Sequence, residues 1–202
     1  MRLRNKLIVE TQIEEIMIHI NILPFPNLQS ERLCFREINE KDIPEVLLLR
    51  GNPETMKFIP RPLITTKEEA LAHINLLLSN KEENNAINWV ITEKDNDSLI
   101  GIIGFFRTQH ENLRSELGYM TLPEYYNKGY VTEAIKTILT FGFDVLHLHT
   151  VTAIIDPDNF ASARVLEKNG FRKEGHFIED FFWNDTFIDS VHYGLLKKEF
   201  KK

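Results

Sequence analysis

From Leu28 onward the chain switches repeatedly between period-two and helical spacing of its apolar residues. Arg32-Leu33-Cys34-Phe35-Arg36-Glu37 alternates as a half-buried strand does. Asp42 reads as an N-cap for a helix carrying Ile43, Val46, Leu47 and Arg50, which Gly51-Asn52-Pro53 stops. Thr66 and Glu69 have capping-box spacing and open a second helix with Leu71, Ile74, Leu77 and Leu78. The β-rich runs 88–92 and 99–106, joined by Asp95-Asn96-Asp97-Ser98, predict a hairpin, and Ser115 to Thr121 a further strand. Glu133 to Leu146 is a helix with Ala134, Ile135, Ile138, Leu139 and Phe143 on its apolar face. Thr150 to Ile155 is a buried strand, Ala161 to Asn169 a helix closed by Gly170, and 171–182 with 187–196 a hairpin across Asn184-Asp185. Within that hairpin Phe181, Phe182, Trp183 and Phe187 read as core. The order β-α-α-β-β-β, then α-β-α-β-β, without linker or repeat, predicts one mixed α/β domain.

The segment ahead of it is different. Ile13, Ile16, Met17 and Ile20 lie at helical spacing, and Pro24-Phe25-Pro26 ends any such helix. Residues 1–27 are therefore expected to be a terminal appendage, with a dimerisation helix as the alternative, and 28–202 the domain. The basic start Met1 to Lys6 and apolar Leu7-Ile8-Val9 are interrupted by Glu10, Glu14 and Glu15, too early for an export signal, so cytoplasmic residence is expected.

Composition narrows the classes. At 202 residues, 43% hydrophobic and 27% charged, the chain fits one globular domain, and no apolar run approaches the roughly 20 residues of a membrane helix. With 24 Lys+Arg against 30 Asp+Glu the net charge is −6, which disfavours non-specific nucleic-acid binding and favours cationic partners such as amines. A single cysteine, Cys34, excludes an intramolecular disulfide and a cysteine-rich zinc site, and on its strand it is expected to be buried and inert. His147 and His149 alternate before a strand without a third ligand nearby, so they read as edge residues and no metal site is expected.

The segment Pro123 to Ala134 carries the first chemistry. A strand ends, Gly129 turns, and a helix begins, leaving the backbone N–H groups of residues 128–132 without helical partners at the positive end of the helix dipole. Such a turn suits a phosphate or pyrophosphate, and glycine lets the backbone approach the anion. A second segment, Asp156 to Phe171, leads from a buried strand through a helix into the next strand.

With the runs Glu31 to Arg36, Ile100 to Gly104, Glu116-Leu117-Gly118-Tyr119, the Asn127-Lys128-Gly129-Tyr130 turn with Thr132-Glu133-Ala134, and Asn159 to Phe171, the chain resembles the GNAT family of acetyl-CoA-dependent N-acetyltransferases. Within that family it is similar to the RimJ/RimL-type branch. The resemblance spans about 28–197 and implies a central twisted, mostly antiparallel sheet of six to seven strands, splayed in the middle and flanked by about four helices. It also implies acetyl-CoA as cosubstrate, with Tyr119, Met120, Leu122, Asn127, Lys128, Gly129, Tyr130, Val131, Thr132, Asn159 and Ser162 as its contacts. The glycine turn would grip the pyrophosphate. The strand Leu117 to Thr121 would pair with the pantetheine arm, and N–H groups near Met120 or Leu122 would polarise the thioester carbonyl. Asn159 would hydrogen-bond the pantetheine, and the Ser162 hydroxyl would reach the thiol end.

Two departures stand out. The family writes its turn Arg/Gln-x-x-Gly-x-Gly/Ala, and here Tyr126, Gly129 and Val131 hold those positions, so the backbone contacts carry over and a side-chain contact from residue 126 does not. Many relatives place a tyrosine, as general acid, where this chain has Leu166, so either no acid is needed or Ser162 or a water supplies the proton.

The candidate general base is Glu116, whose alternative is a structural ion pair with Arg107 or Arg114. An α-amine of pKa about 7.8 costs about 1 kcal/mol to deprotonate at pH 7 and a lysine amine about 4.6 kcal/mol, so a weak base suits the former. Trp183, Phe58 and Tyr119 are candidates for the acceptor mouth. The expected reaction is direct acetyl transfer to a primary amine, either a protein N-terminus or a small amine such as a polyamine or amino sugar. A non-catalytic CoA-binding module is the rival reading. A monomer or homodimer without nucleic-acid or membrane partners is expected.

Overall fold

The computed structural model describes residues 20–201. Two short strands, β1 (Leu28–Gln29) and β2 (Leu33–Arg36), precede helices α1 (Ile43–Arg50), α2 (Pro53–Met56) and α3 (Lys67–Glu82). Strands β3 (Ile87–Glu93), β4 (Asn96–Gln109) and β5 (Arg114–Thr121) follow, then α4 (Tyr130–Asp144), β6 (Thr150–Ile155), α5 (Phe160–Lys168), β7 (Arg172–Trp183) and β8 (Thr186–Leu196). All eight strands form one sheet in the order β1-β2-β3-β4-β5-β6-β8-β7, antiparallel except between β5 and β6. Eight strands and five helices exceed the expected six to seven and about four. The additions are the two-residue β1 and the one-turn α2, which Asn52 caps and Pro53 starts where only a stop was expected.

Helices cover both faces of the sheet. On one, α4 inserts Ala134, Ile135, Ile138 and Leu139 against Trp89, Ile103 and Phe105, with Leu166 of α5 in the same core. On the other, Val46 and Leu49 of α1 and Ala70 and Ile74 of α3 pack on Val90, Leu99 and Ile102. Each of these Val, Leu and Ile side chains, fully buried, stabilises the fold by about 1.5–3 kcal/mol. The helix expected ahead of Pro24 lies, up to residue 19, outside the described residues. Ile20 and Ile22 are buried in the α4-side core without helical structure, and Pro26 accepts the Trp89 indole N–H at 2.8 Å, so this end of the expected appendage packs into the domain.

Local signals explain most boundaries. Thr66 and Glu69 form the reciprocal capping box that starts α3. Asn184 and Asp185 both adopt positive φ (50° and 60°), the turn that joins two twisted antiparallel strands. Asp42 stands at the expected N-cap position of α1, but its side chain works elsewhere. It makes no capping bond to α1, is buried, and takes both ends of the Arg36 guanidinium (2.9 and 2.7 Å), while Asn39 caps the 3-10 turn before it. The aromatic hairpin residues are also not all core. Phe182 and Phe187 are paired across the strands at the exposed hairpin tip, their rings tilted 5.0 Å apart. Cys34 is half-buried, and His147 and His149 are exposed.

One feature of the sheet positions the site. The parallel pairing of β5 with β6 covers only Arg114↔Thr150, Ser115↔Val151 and Glu116↔Thr152, although β5 continues to Thr121 and β6 to Ile155. Beyond Glu116 the two strands part and leave a gap with unpaired edges on both sides.

Candidate active site

The N-terminal end of α4 stands at the β5 side of this gap. Gly129 adopts φ 78°, ψ 1°, and Asn127 two residues earlier also has positive φ (59°). The first helical bond runs from Glu133 N–H to Gly129 C=O (3.1 Å), and no side chain caps the helix. The N–H groups of Gly129, Tyr130, Val131 and Thr132 therefore precede the helical ladder. A Cβ built on Gly129 would meet only Arg32 Nη2, at 3.5 Å, so the space over the turn is open. A left-handed turn, unladdered amides and clear space fit a CoA pyrophosphate.

Side chains around the turn hold it and leave the amides to bind. Glu133 accepts hydrogen bonds from Ser30 Oγ (2.7 Å), the Arg32 N–H (2.8 Å) and Arg32 Nε (2.6 Å). Burial pushes the Glu133 carboxyl up, but these bonds outweigh it and hold it below the usual carboxylate range. Arg32 also donates to Lys128 C=O (3.0 Å) and lies 4.5 Å over the Tyr130 ring. Tyr130 OH reaches Glu93, and the Lys128 ammonium sits 4.9 Å from the Tyr125 ring. Tyr126 is exposed. Arg32 and Glu133 both lie in the runs that carry the family resemblance, yet no sequence spacing links two residues 101 apart.

Ladder parity decides which β5 amides face the gap. Leu122 N–H bonds Ile100 C=O (2.9 Å), and Leu122 C=O accepts from Tyr125 N–H (3.0 Å). In an antiparallel ladder the same parity directs Met120 to its partner Ile102. The expected donation from Met120 or Leu122 to a thioester is thus corrected: their N–H groups are engaged inside the sheet, and those of Tyr119 and Thr121 point into the gap. On the opposite edge, Lys197 N–H to His149 C=O (3.0 Å) sets β6 so that Ile154 faces the gap.

At the start of α5, Asn159 Oδ1 accepts Ser162 N–H (3.1 Å), which commits the oxygen to capping and leaves the amide NH2 as its donor. Ser162 Oγ lies 2.6 Å from Tyr119 OH, a contact that spans from β5 to α5. Burial pushes the Tyr119 phenol up to about 12, so it keeps its proton at neutral pH. Leu166, one turn after Ser162, is wholly buried.

Glu116 sits where the strands part, 8% exposed, with Oε2 taking Arg107 Nη1 at 2.9 Å. The ion pair weighed against a base role is therefore formed. Burial raises the Glu116 carboxyl above its ordinary value, against the opposing charges of Arg107, Arg114 and Arg61. A residue that sequence reasoning missed lies nearby. His192, cross-strand from Ile154, has Nε2 at 3.1 Å from Ser190 Oγ, and Ser190 donates its one proton to Asp180 Oδ2 (2.7 Å). Nε2 must then be the donor, which leaves the lone pair on Nδ1. Burial lowers the His192 pKa, with Asp180 and Glu174 opposing and Arg114 and Arg107 adding to the fall, so the ring is neutral at pH 7. The bulge that lifts 178–180 out of the ladder is what brings Asp180 to this network, and a bulge has no plain sequence signature. Among the described residues no cluster of three or more His, Cys, Asp or Glu is placed to hold a metal, and no helix is long and apolar enough to cross a membrane.

Comparison with known proteins agrees with this geometry. Residues 32–172 match the acetyltransferase (GNAT) domain model. The uncharacterized N-acetyltransferase YnaD of Bacillus subtilis (strain 168) is 35% identical over 173 residues, 86% of this chain and 98% of that protein. The spermidine N(1)-acetyltransferase of Escherichia coli (strain K12) is 24% identical over 175 residues, 87% of this chain and 90% of that protein. A solved structure of RimL, a ribosomal L7/L12 alpha-N-protein acetyltransferase, in complex with coenzyme A superposes with TM-score 0.77 at 19% identity, covering 85% of this chain and 98% of that one. A glycine turn open to an anion, a sheet parted beside it and these relatives lead to one conclusion: the chain belongs to the GNAT family and is an acetyl-CoA-dependent N-acetyltransferase.

Proposed function

We propose that the acceptor is a protein N-terminal α-amine, acetylated by direct attack while both substrates occupy the gap between β5 and β6. Acetyl-CoA supplies the acetyl group as a thioester with a thiol as leaving group. The amides of residues 129–132 bind its pyrophosphate, and the Tyr119 and Thr121 backbone groups offer hydrogen bonds to an extended arm and an N–H to a carbonyl. Asn159 contributes its amide donor. Tyr119 and Ser162 hold a proton at the hydroxyl pair between β5 and α5, available to the departing sulfur in place of the tyrosine that Leu166 replaces. On the acceptor side Glu116, or neutral His192 through Nδ1, takes the proton that the amine loses as its nitrogen bonds to the acetyl carbon and the C–S bond breaks.

The observation that carries the choice of acceptor is the condition of these bases. Arg107 offsets part of the rise that burial gives the Glu116 carboxyl, which stays far less basic than an amine, and burial lowers the affinity of His192 for a proton. Both are weak bases, adequate for an amine near pKa 7.8 and poorly matched to one near 10.4, a difference of about 3.5 kcal/mol. The guanidinium groups of Arg61, Arg107 and Arg114, all close enough to influence Glu116, also weigh against a polycationic substrate. The test is thiol release from acetyl-CoA with N-terminal peptides, spermidine and amino sugars, with product masses. Peptide α-amines are expected to be acetylated with kcat/KM well above that for spermidine. Faster spermidine turnover would replace this acceptor, and CoA binding without turnover of any amine would leave a binding module.

A further inference from the structure

Arg50 ends α1, and Arg61 lies in the segment between α2 and α3. The backbone brings that segment back over the end of α1. Ile64 N–H bonds Arg50 C=O (3.1 Å), and a Cβ on Gly51 would fall 2.5 Å from Ile64 C=O, an approach only glycine permits. Arg50 Nε is buried without a hydrogen-bond partner. Among the described residues no carboxylate pairs with the guanidinium of Arg50, and its charged and titratable neighbours are Arg61 and His73. Arg61 is a like charge, and burial, assisted by Arg50, holds His73 neutral with its pKa down at about 4. Among the described residues no carboxylate forms an ion pair with Arg61 either. It donates to Pro60 C=O (2.6 Å) and reaches across to the Phe181 ring of β7 at 5.7 Å, near enough to Glu116 for their charges to interact.

Two guanidinium groups close enough for their charges to interact, one of them half-buried with its Nε enclosed and unpartnered, oppose folding unless something else satisfies them. The planar fork of arginine matches a carboxylate. We propose that Arg50 and Arg61 form a subsite for a carboxylate carried by the acceptor close to its reacting amine. Arg61 links the subsite to Glu116, so a substrate would lie with its amine toward Glu116 and its acidic group under the segment 57–66. The inference rests on the amine-acetylation reading above and narrows it to acidic N-termini. It also sets a local positive patch against the chain's net charge of −6.

The test uses the full-length protein with acetyl-CoA and four peptide amides, Ser-Asp-Ala-NH2, Ser-Asn-Ala-NH2, Ser-Ala-Asp-NH2 and Ser-Ala-Asn-NH2. In at least one Asp/Asn pair the acidic peptide is expected to show kcat/KM about tenfold higher, an advantage typical of one charge-assisted contact. In Arg50→Gln and Arg61→Gln the ratio should fall toward one. Arg61 is exposed, so its variant tests the subsite even if Arg50→Gln folds poorly. Equal kcat/KM within both pairs in the wild type, or discrimination that survives in Arg61→Gln, would overturn the subsite. Calorimetry of the N-acetylated peptides binding to the CoA-loaded protein separates the two readings. Tighter binding of the acidic product without turnover of any amine keeps the subsite and sinks the transferase reading. Turnover with no charge preference in rate or binding does the reverse.

Discussion

At the CoA end of the gap the groups proposed to bind are backbone amides of four consecutive residues, Gly129 to Thr132, and the side chains around them act as braces. At the proposed acceptor end the groups are side chains brought from α1, the segment before α3, β4, β5, β7 and β8: Arg50, Arg61, Arg107, Glu116, Asp180 and His192. A backbone site needs a turn and a helix start, so it tolerates Tyr126 and Val131 where the family has other residues. A side-chain site changes with each substitution. The same fold can therefore keep one cosubstrate while its acceptor changes, as in relatives named for spermidine and for a ribosomal protein.

The largest effect expected on this contrast is Gly129→Glu. A side chain at φ 78° is strained, and a carboxylate beside the amides repels the pyrophosphate, so acetyl-CoA affinity should fall by more than about a hundredfold in calorimetry. Unchanged affinity would remove the anion site from the turn. Next is Glu116→Gln, expected to lower kcat/KM by about 10–100-fold. Because the buried carboxyl titrates above its ordinary value and works only when ionised, the wild-type rate should fall on acidification from a point above pH 4.5, and this limb should be lost in the variant. A limb that persists in Glu116→Gln and disappears in His192→Gln would move the base to His192.

Arg32→Ala tests the bracing and is expected to weaken CoA binding by only about three- to tenfold, with kcat little changed, because the amides remain while their support loosens. A hundredfold loss would make Arg32 a direct ligand instead. The smallest functional effect, but a measurable one on stability, belongs to His73 beside Arg50. Its folded pKa of about 4 lies below the unfolded value near 6.5, so its contribution is present above pH 6.5 and lost as pH falls toward 4. His73→Gln should flatten the acid limb of unfolding free energy by on the order of 3 kcal/mol between those pH values. Parallel limbs in both proteins would show that His73 titrates normally.

The difference between the two ends also explains what the sequence could reveal. The Asn127-Lys128-Gly129-Tyr130 turn, the Thr66/Glu69 box and the Asn184-Asp185 turn are contiguous, and their geometry follows from local chemistry. The β5 donors did not follow, because which amides face outward depends on register, and a shift of one residue exchanges Met120 and Leu122 for Tyr119 and Thr121. Asp42 looked like a cap because its partner Arg36 comes from the preceding strand. The exposed Phe182–Phe187 pair looked like core because an aromatic pair reads the same in sequence whether or not another element covers it. Arg50 and Arg61 lie 11 residues apart in unrelated elements, and the fold back of the chain at Ile64 over Arg50 and Gly51 has no sequence signature.

The central claim is acetyl transfer to an α-amine, and stoichiometry tests it most directly. Thiol released from acetyl-CoA is measured alongside the mass of Ser-Asp-Ala-NH2 and of the same peptide with a blocked N-terminus. One acetylated N-terminus per thiol released, with only background release from the blocked peptide, is the predicted result. Thiol release that continues with the blocked peptide, or spermidine acetylated while the free peptide is not, would contradict it.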